Sequence, residues 1–150
     1  MTDRVDFYVL NGAAPKQRLT FACRLAEKAY LKDLKVVILS ETAAESKLLD
    51  DLLWTFSDRS FVPHQLCQDE QSIDPDTPVR VTPALEGAGT ADLLVNLSER
   101  LPAGLERFTR IAEIVDAEPE RRRLGRERFK SYRELKVAIE THQVNDTADI

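Results

Sequence analysis

Hydrophobic residues in the first third of the chain form either short continuous runs or longer stretches with helical spacing. The runs at residues 5–10 and 35–39 have the length of buried strands. In residues 16–32, apolar side chains recur every three or four positions, which predicts an amphipathic helix. A second helix follows, with Ser40 or Thr42 as its N-terminal cap. The predicted order is therefore strand, helix, strand, helix.

The rest of the chain continues the alternation, with longer loops between elements. Residues 107–115 fit either a strand or a helix, because their apolar positions satisfy neither period strictly, and we favour a strand or a mixed element. Pro119 followed by Glu120 is typical of the first turn of a helix. The other expected elements are a segment at 60–66, strands at 79–82 and 91–97, and a last helix that runs from 119 to about 135.

This order of elements indicates an α/β fold. A strand, a helix and a strand at this spacing favour a parallel sheet joined by right-handed crossovers. We therefore expect a mainly parallel central sheet flanked by helices, in a single domain of residues 1–140. Residues 141–150 are polar and are expected to form a frayed C-terminal tail.

The charge is unevenly distributed along a chain of otherwise ordinary composition. The 150 residues carry a formal net charge of −5, whereas residues 121–133, the basic segment, carry +6, so the other 137 carry −11. Apolar runs are far shorter than the roughly 20 residues of a membrane-spanning helix, and the N-terminus lacks a secretory pattern. With two cysteines and no disulfide framework, we expect a cytoplasmic protein without a membrane span.

The sequence contains no set of residues that predicts catalysis, a cofactor or a metal. The first predicted strand leads into "NGAAPKQ", which lacks the glycine-rich patterns that bind dinucleotides or phosphate. His64 and Cys67 are three residues apart, but no second pair completes a zinc site. Cys23 lies on the apolar side of the first predicted helix, where a thiol acts as a small hydrophobic side chain.

The basic segment has the most specific geometry in the sequence. Such a helix face could be simply solvated, could bind phosphate, or could hold an apolar side chain beside a carboxylate, which arginine binds in bidentate geometry. Leu124 and Leu135 would attach the other side of the helix to the sheet. At 100° per residue, four side chains fall within about 60° of one another, three arginines around one ring: Arg122, Arg126, Phe129 and Arg133.

A second cluster of large side chains lies in "LLWTFSDRSFVPH", residues 52–64, which we call the aromatic segment. It spans the end of a predicted helix and the loop that follows. Aromatic residues in loops often complete a core, and they also anchor protein interfaces. The aromatic segment therefore predicts either core packing or an exposed partner surface.

Five stretches of the sequence together resemble one known family. They are "FACRLAEKAY", "LLWTFSDRSFVPH", "LLVNLS", "IAEIVD" and "RERFKSYR". They are similar to the chi subunit of bacterial DNA polymerase III holoenzyme, HolC, from residue 6 to about residue 141. The aromatic segment followed by "RERFKSYR" is the specific part of the resemblance. After the last helix, where family members often have glycine, this chain has Lys136.

The resemblance implies a non-catalytic subunit with a Rossmann-like fold and no nucleotide-binding function. It also implies two binding surfaces, one for the acidic C-terminal tail of single-stranded DNA-binding protein and one for the psi subunit, which tethers chi to the clamp loader. A repair helicase related to XPD is a further implied partner at the psi surface. The residues carried over are Arg122, Arg126, Phe129 and Arg133 for the tail, and Trp54, Phe61, Val62, Pro63 and His64 for psi.

We therefore expect an accessory subunit of the clamp-loader complex that acts in DNA replication and contacts nucleic acid only indirectly. The alternative is a direct single-stranded nucleic-acid-binding module that uses the basic helix, residues 120–135. One aromatic ring lies among these charges, and the acidic remainder of the chain repels a long phosphate track, which favours the first hypothesis.

Overall fold

The computed structural model describes residues 2–14, 16–57, 61–67, 76–86 and 88–144. In this part of the chain, seven strands form one sheet in the order β3-β4-β2-β5-β6-β1-β7, and every neighbouring pair is parallel. The predicted parallel α/β fold is confirmed. The elements are β1 (Arg4–Leu10), α1 (Gln17–Tyr30), β2 (Val36–Leu39), α2 (Ala43–Thr55), β3 (His64–Leu66), β4 (Val79–Thr82), β5 (Ala91–Asn96), a 3-10 turn (Leu105–Arg107), β6 (Phe108–Val115), α3 (Pro119–Glu134) and β7 (Ala138–Val144).

The sheet has a hydrophobic core on each face. Helices α1 and α2 cover one face, whereas α3 and the loops after β4 and β5 cover the other. Strand β6 supplies Ala112 and Ile114 to the first core and Ile111 and Val115 to the second. A strand buried on both faces shows no simple alternation of polar and apolar residues, which explains why the sequence left residues 107–115 undecided. None of the helices in the described ranges has the length and apolar character needed to span a bilayer.

Side-chain caps fix where the later helices begin. Helix α2 is capped by Thr42, whose hydroxyl oxygen accepts the backbone N–H of Glu45 at 3.1 Å. Helix α3 starts at Pro119, and the carboxylate of Glu118 accepts the backbone N–H groups of Glu120 and Arg121. The same helix ends before Lys136, which adopts a left-handed φ of 61°, the conformation that glycine supplies at many helix ends.

The predicted boundary between domain and tail is wrong for four residues. Residues 141–144 form the second half of β7, which pairs with β1 over its whole length, from Arg4↔Ala138 to Leu10↔Val144. The strand is polar because it lies at the edge of the sheet, where most of its side chains remain exposed. Residues 145–150 of the predicted tail lie outside the described residues.

Candidate functional site

Helix α3 brings three of the four predicted tail-binding residues to one cavity. Arg122, Arg126 and Phe129 line a cavity of about 350 Å³ between the helix and the sheet, which we call the tail pocket after the ligand that the resemblance predicts. Arg133 is exposed on the same side of the helix, one turn further on, and does not line the cavity. The other lining residues are Phe7, Val9, Val115, Gly125 and Thr141.

The floor of the tail pocket is apolar and its rim is cationic. The ring of Phe129 packs against Phe7, with 5.3 Å between the ring centroids, so the aromatic side chain is held in place from below. At the rim, Arg122 donates from Nε to the carbonyl oxygen of Asp116 at 3.1 Å and from Nη2 to that of Leu10 at 3.3 Å. Because carbonyl oxygens leave the guanidinium charge uncompensated, Arg122 is oriented and still able to attract an anion.

Ion pairs neutralise part of the positive charge of the basic segment. Arg121 donates two hydrogen bonds of 2.8 Å to the buried carboxylate of Asp116. Burial alone raises the pKa of Asp116, but these bonds outweigh that effect and hold the pKa below its ordinary value. Arg123 is paired with two glutamates and Arg128 with one. Among the described residues, the basic side chains of the segment that form no ion pair are Arg122, Arg126, Lys130 and Arg133.

Helix α3 is attached to the sheet by residues that the sequence did not identify. The predicted anchors are wrong, because Leu135 is 59% exposed and Leu124 is only partly buried. The buried residues of the helix are Gly125, Arg128 and Tyr132. These three lie at i, i+3 and i+7, within about 60° of one another, but helical phase does not separate them from Leu135, which follows Arg128 by seven residues. Leu135 is exposed because the helix ends at Glu134.

The buried side of the helix contacts the carboxylate of Glu113 on β6. It is fully buried and accepts hydrogen bonds from Nε of Arg128 at 2.9 Å, the hydroxyl of Tyr132 at 2.8 Å and Nδ2 of Asn96 at 2.9 Å. Burial raises the pKa of Glu113, and the Arg128 charge and the three donors oppose that rise. Arg128 also donates to the carbonyl oxygen of Glu99 at 2.9 Å.

The aromatic segment is split between core and surface. Trp54 and Phe61 are 57% and 62% exposed and lie together, with 5.6 Å between their ring centroids. His64 packs edge-on against Trp54, and its Nδ1 lies 2.6 Å from the carbonyl oxygen of Val62. Val62 itself is buried in the core and Pro63 is half-buried. The structure therefore leaves two rings exposed as an aromatic patch and uses Val62 to support it.

Other groups with possible chemistry are buried or neutralised. The thiols of Cys23 and Cys67 are free and buried, and burial raises the pKa of Cys23 to about 12. Asp6, Glu140 and His142 bring ligand-type atoms within 4.8 Å of one another. Arg4, however, forms ion pairs with both carboxylates, so this group is a salt-bridge cluster in which the charge that would attract a cation is offset.

The family model and the relatives that match this chain all carry the same description. The model of the DNA polymerase III chi subunit family, HolC, matches residues 1–140. The DNA polymerase III subunit chi of Pseudomonas aeruginosa is 37% identical over 141 residues, which cover 94% of this chain and 96% of that protein. The proteins of the same name from Haemophilus influenzae and Escherichia coli are 28% and 27% identical, with 89% and 85% of this chain and 92% and 88% of those proteins covered.

Proposed function

The chain belongs to the DNA polymerase III chi subunit family, and from this premise we propose that it is a non-catalytic accessory subunit with two binding surfaces. The tail pocket binds the acidic C-terminal tail of single-stranded DNA-binding protein. The aromatic patch binds the psi subunit and so joins the chain to the clamp loader. In this role the protein works in the cytoplasm, and it reaches DNA through its partners rather than through a nucleic-acid site of its own.

The observation that supports tail binding is an apolar cavity with unpaired arginines at its rim. A peptide that ends in an apolar side chain beside a free carboxylate complements both features of this cavity. Its apolar side chain enters the apolar floor, and its carboxylate stays at the cationic rim. Phe7 and Phe129 would contact the apolar side chain, and Arg122 and Arg126 would bind the carboxylate. Arg133, exposed one turn further on, would attract the acidic residues that precede it.

The expected strength of this interaction is modest. A hydrogen bond to a charged group contributes about 1.5–3 kcal/mol, and solvent at an exposed rim reduces that amount. Two such contacts and one buried apolar side chain, at about 1.5–3 kcal/mol, must also overcome the entropy of ordering a flexible peptide. A micromolar dissociation constant, about −8 kcal/mol, is therefore the scale to expect.

The experiment is a titration of a fluorescent peptide that copies the C-terminal tail of single-stranded DNA-binding protein, followed by anisotropy. Arg126→Ala is expected to weaken binding about tenfold, or 1.4 kcal/mol, and added salt to weaken it further. Arg123→Ala is the matched control, because Arg123 lies on the same helix but is paired with Glu120 and Glu127. Affinity that is indifferent to both Arg126→Ala and salt would refute the assignment.

The same assay separates the proposal from direct binding of nucleic acid. Four of the seven cations of the basic segment are without an ion pair among the described residues, which limits the number of phosphates that α3 can contact. Binding to bare single-stranded DNA is thus expected to be weak at physiological salt. Tight binding to bare DNA that Arg126→Ala abolishes, without binding to the tail peptide, would favour the alternative.

Psi binding is supported by the two exposed rings of the aromatic patch. Paired aromatic side chains that are more than half exposed have apolar area to bury, and such residues often dominate interface energies. Phe61→Ala is expected to abolish capture of psi and leave tail affinity unchanged, whereas Phe129→Ala should do the reverse. Loss of both partners from either substitution would contradict two separate surfaces. An XPD-like helicase, if it uses the aromatic patch, should compete with psi.

A further inference from the structure

Helix α3 carries two stripes of side chains next to each other. One stripe faces the tail pocket through Arg122, Arg126 and Phe129. The other lies one position earlier in each turn and faces the sheet. The two stripes are adjacent because consecutive residues are 100° apart on a helix. Since both belong to the same helix, any rotation that disturbs the second stripe also displaces the first. This anchoring stripe consists of Arg121, Gly125, Arg128 and Tyr132.

The anchoring stripe contains no aliphatic side chain. A helix on a sheet is ordinarily held by leucine, isoleucine or valine, which pack well but tolerate small shifts. Leu135, just past the end of α3, is exposed, and Gly125 lies so near the sheet that an added Cβ atom would be 2.9 Å from Cγ2 of Val115. The rotation of the helix therefore depends on directional contacts, made by Arg128 and Tyr132.

Both of these side chains end on the carboxylate of Glu113. Arg128 donates from Nε to Oε1 at 2.9 Å, and the hydroxyl of Tyr132 donates to Oε2 at 2.8 Å. Nδ2 of Asn96 also donates to Oε2, at 2.9 Å. Arg128 and Glu113 are 5% and 0% exposed, so the ion pair lies in a region of low dielectric where hydrogen-bond geometry is strict. Tyr132 packs edge-on against Phe7, which forms the floor of the tail pocket, with 5.9 Å between the centroids.

We propose that Glu113, Arg128 and Tyr132 are positioning residues for the tail pocket. They fix the rotation and depth of α3 and so determine where Arg122, Arg126 and Phe129 meet the peptide. A buried ion pair contributes little net stability compared with apolar side chains of the same size, because desolvation of both charges offsets their attraction. The network is thus expected to matter more for tail affinity than for the stability of the fold. This inference rests on the proposed tail binding.

The test replaces the whole network at once, because removal of one charged partner would leave an uncompensated buried charge, which is strongly destabilising. The variant is Glu113→Leu, Arg128→Met and Tyr132→Phe together, which keeps the net charge and nearly the volume, while Asn96 retains its bond to the carbonyl oxygen of Arg100. We expect unfolding at the same denaturant concentration as the unmodified protein or a higher one. We expect affinity for the tail peptide to fall about tenfold, since the contacts of the pocket side chains with the peptide weaken steeply when those side chains are displaced.

The matched control is Arg123→Gln with Glu127→Gln. It also removes one positive and one negative charge from an ion pair of α3, but this pair is exposed and lies away from the pocket. Its tail affinity is expected to equal that of the unmodified protein. In addition, Arg126→Ala should weaken binding less in the network variant than in the unmodified protein, because Arg126 is no longer held in position.

The outcomes separate this inference from the proposed function. If the unmodified protein binds the peptide and the folded network variant binds equally well, with additive effects of Arg126→Ala, the network is only structural and the inference fails. If the unmodified protein does not bind, the proposed function itself fails. Should the network variant not fold, Tyr132→Phe removes one hydrogen bond and keeps the ring. A severalfold loss of affinity then supports the inference, and unchanged affinity overturns it.

Discussion

Gly125 of α3 lies against Val115 of the sheet, and its replacement by alanine tests the packing of the tail pocket. A Cβ atom at this position would lie 2.9 Å from Cγ2 and 3.4 Å from Cγ1 of Val115. Val115 is 6% exposed and its branched side chain has little rotational freedom, so it cannot move aside at low cost. The helix must instead move outward or the strand must shift.

Two opposing contributions determine the effect of Gly125→Ala on stability. Alanine favours a helix interior over glycine by about 1 kcal/mol, whereas one added carbon in a packed site costs about 1–3 kcal/mol. We therefore expect a net loss of up to about 2 kcal/mol in unfolding free energy. For a domain of this size, each kcal/mol lowers the Tm by roughly 2–4 °C. Tail affinity should also fall, because Gly125 and Val115 both line the pocket.

The decisive measurement is the same substitution in two backgrounds, followed by urea unfolding. Val115→Ala removes both methyl groups that an added Cβ would contact, at the usual cost of a cavity. In that background, Gly125→Ala should become stabilising by about 1 kcal/mol, since only the helix propensity remains. A Gly125→Ala change that stabilises the unmodified protein as much as the Val115→Ala variant would show that the predicted clash does not exist.

Three further predictions concern individual groups. Because the pKa of Asp116 is lowered, its carboxylate stabilises the fold fully above its ordinary pKa, about 3.9, and this stabilisation is lost as the pH falls through the lowered pKa. Asp116→Asn should therefore flatten the acid side of a curve of unfolding free energy against pH, measured by urea unfolding. Lys136→Gly should raise the unfolding free energy by about 0.5–1 kcal/mol by relieving the left-handed backbone, and a decrease would contradict this. Cys23 and Cys67 should resist a disulfide reagent in the folded protein and react once guanidinium unfolds it; rapid reaction of either in the native state would be inconsistent with their burial.

Regular patterns made the first half of the fold predictable. The strand at residues 35–39 and the helix after it were identified because a short apolar run and a threonine cap are local signals, and the structure has β2 and α2 there. Strand β4 was predicted with the bounds that the structure shows. Strand β7 was missed because a polar edge strand owes its conformation to pairing with β1, a contact distant in sequence that leaves no apolar run.

The candidate site was predictable in one respect and hidden in another. Helical spacing brought Arg122, Arg126 and Phe129 together because a single helix carries all three. The burial of Arg128 could not be distinguished in the same way, since it is one arginine among seven basic residues. Its partner is a glutamate inside a strand, and such a pairing depends on tertiary structure. The apolar floor was also hidden, because Phe7 and Val9 come from the opposite end of the chain.

The strand order has a consequence for how two partners would be held. His64, which packs against Trp54 of the aromatic patch, belongs to β3, and Thr141 of the tail pocket belongs to β7. These strands form the two edges of the sheet. Six inter-strand steps of 4.7–4.9 Å separate the edges by about 29 Å. In the proposed assembly the sheet is thus a stiff spacer of fixed length. It would raise the effective concentration of the clamp loader beside coated DNA through geometry alone, without any signal passing between the sites.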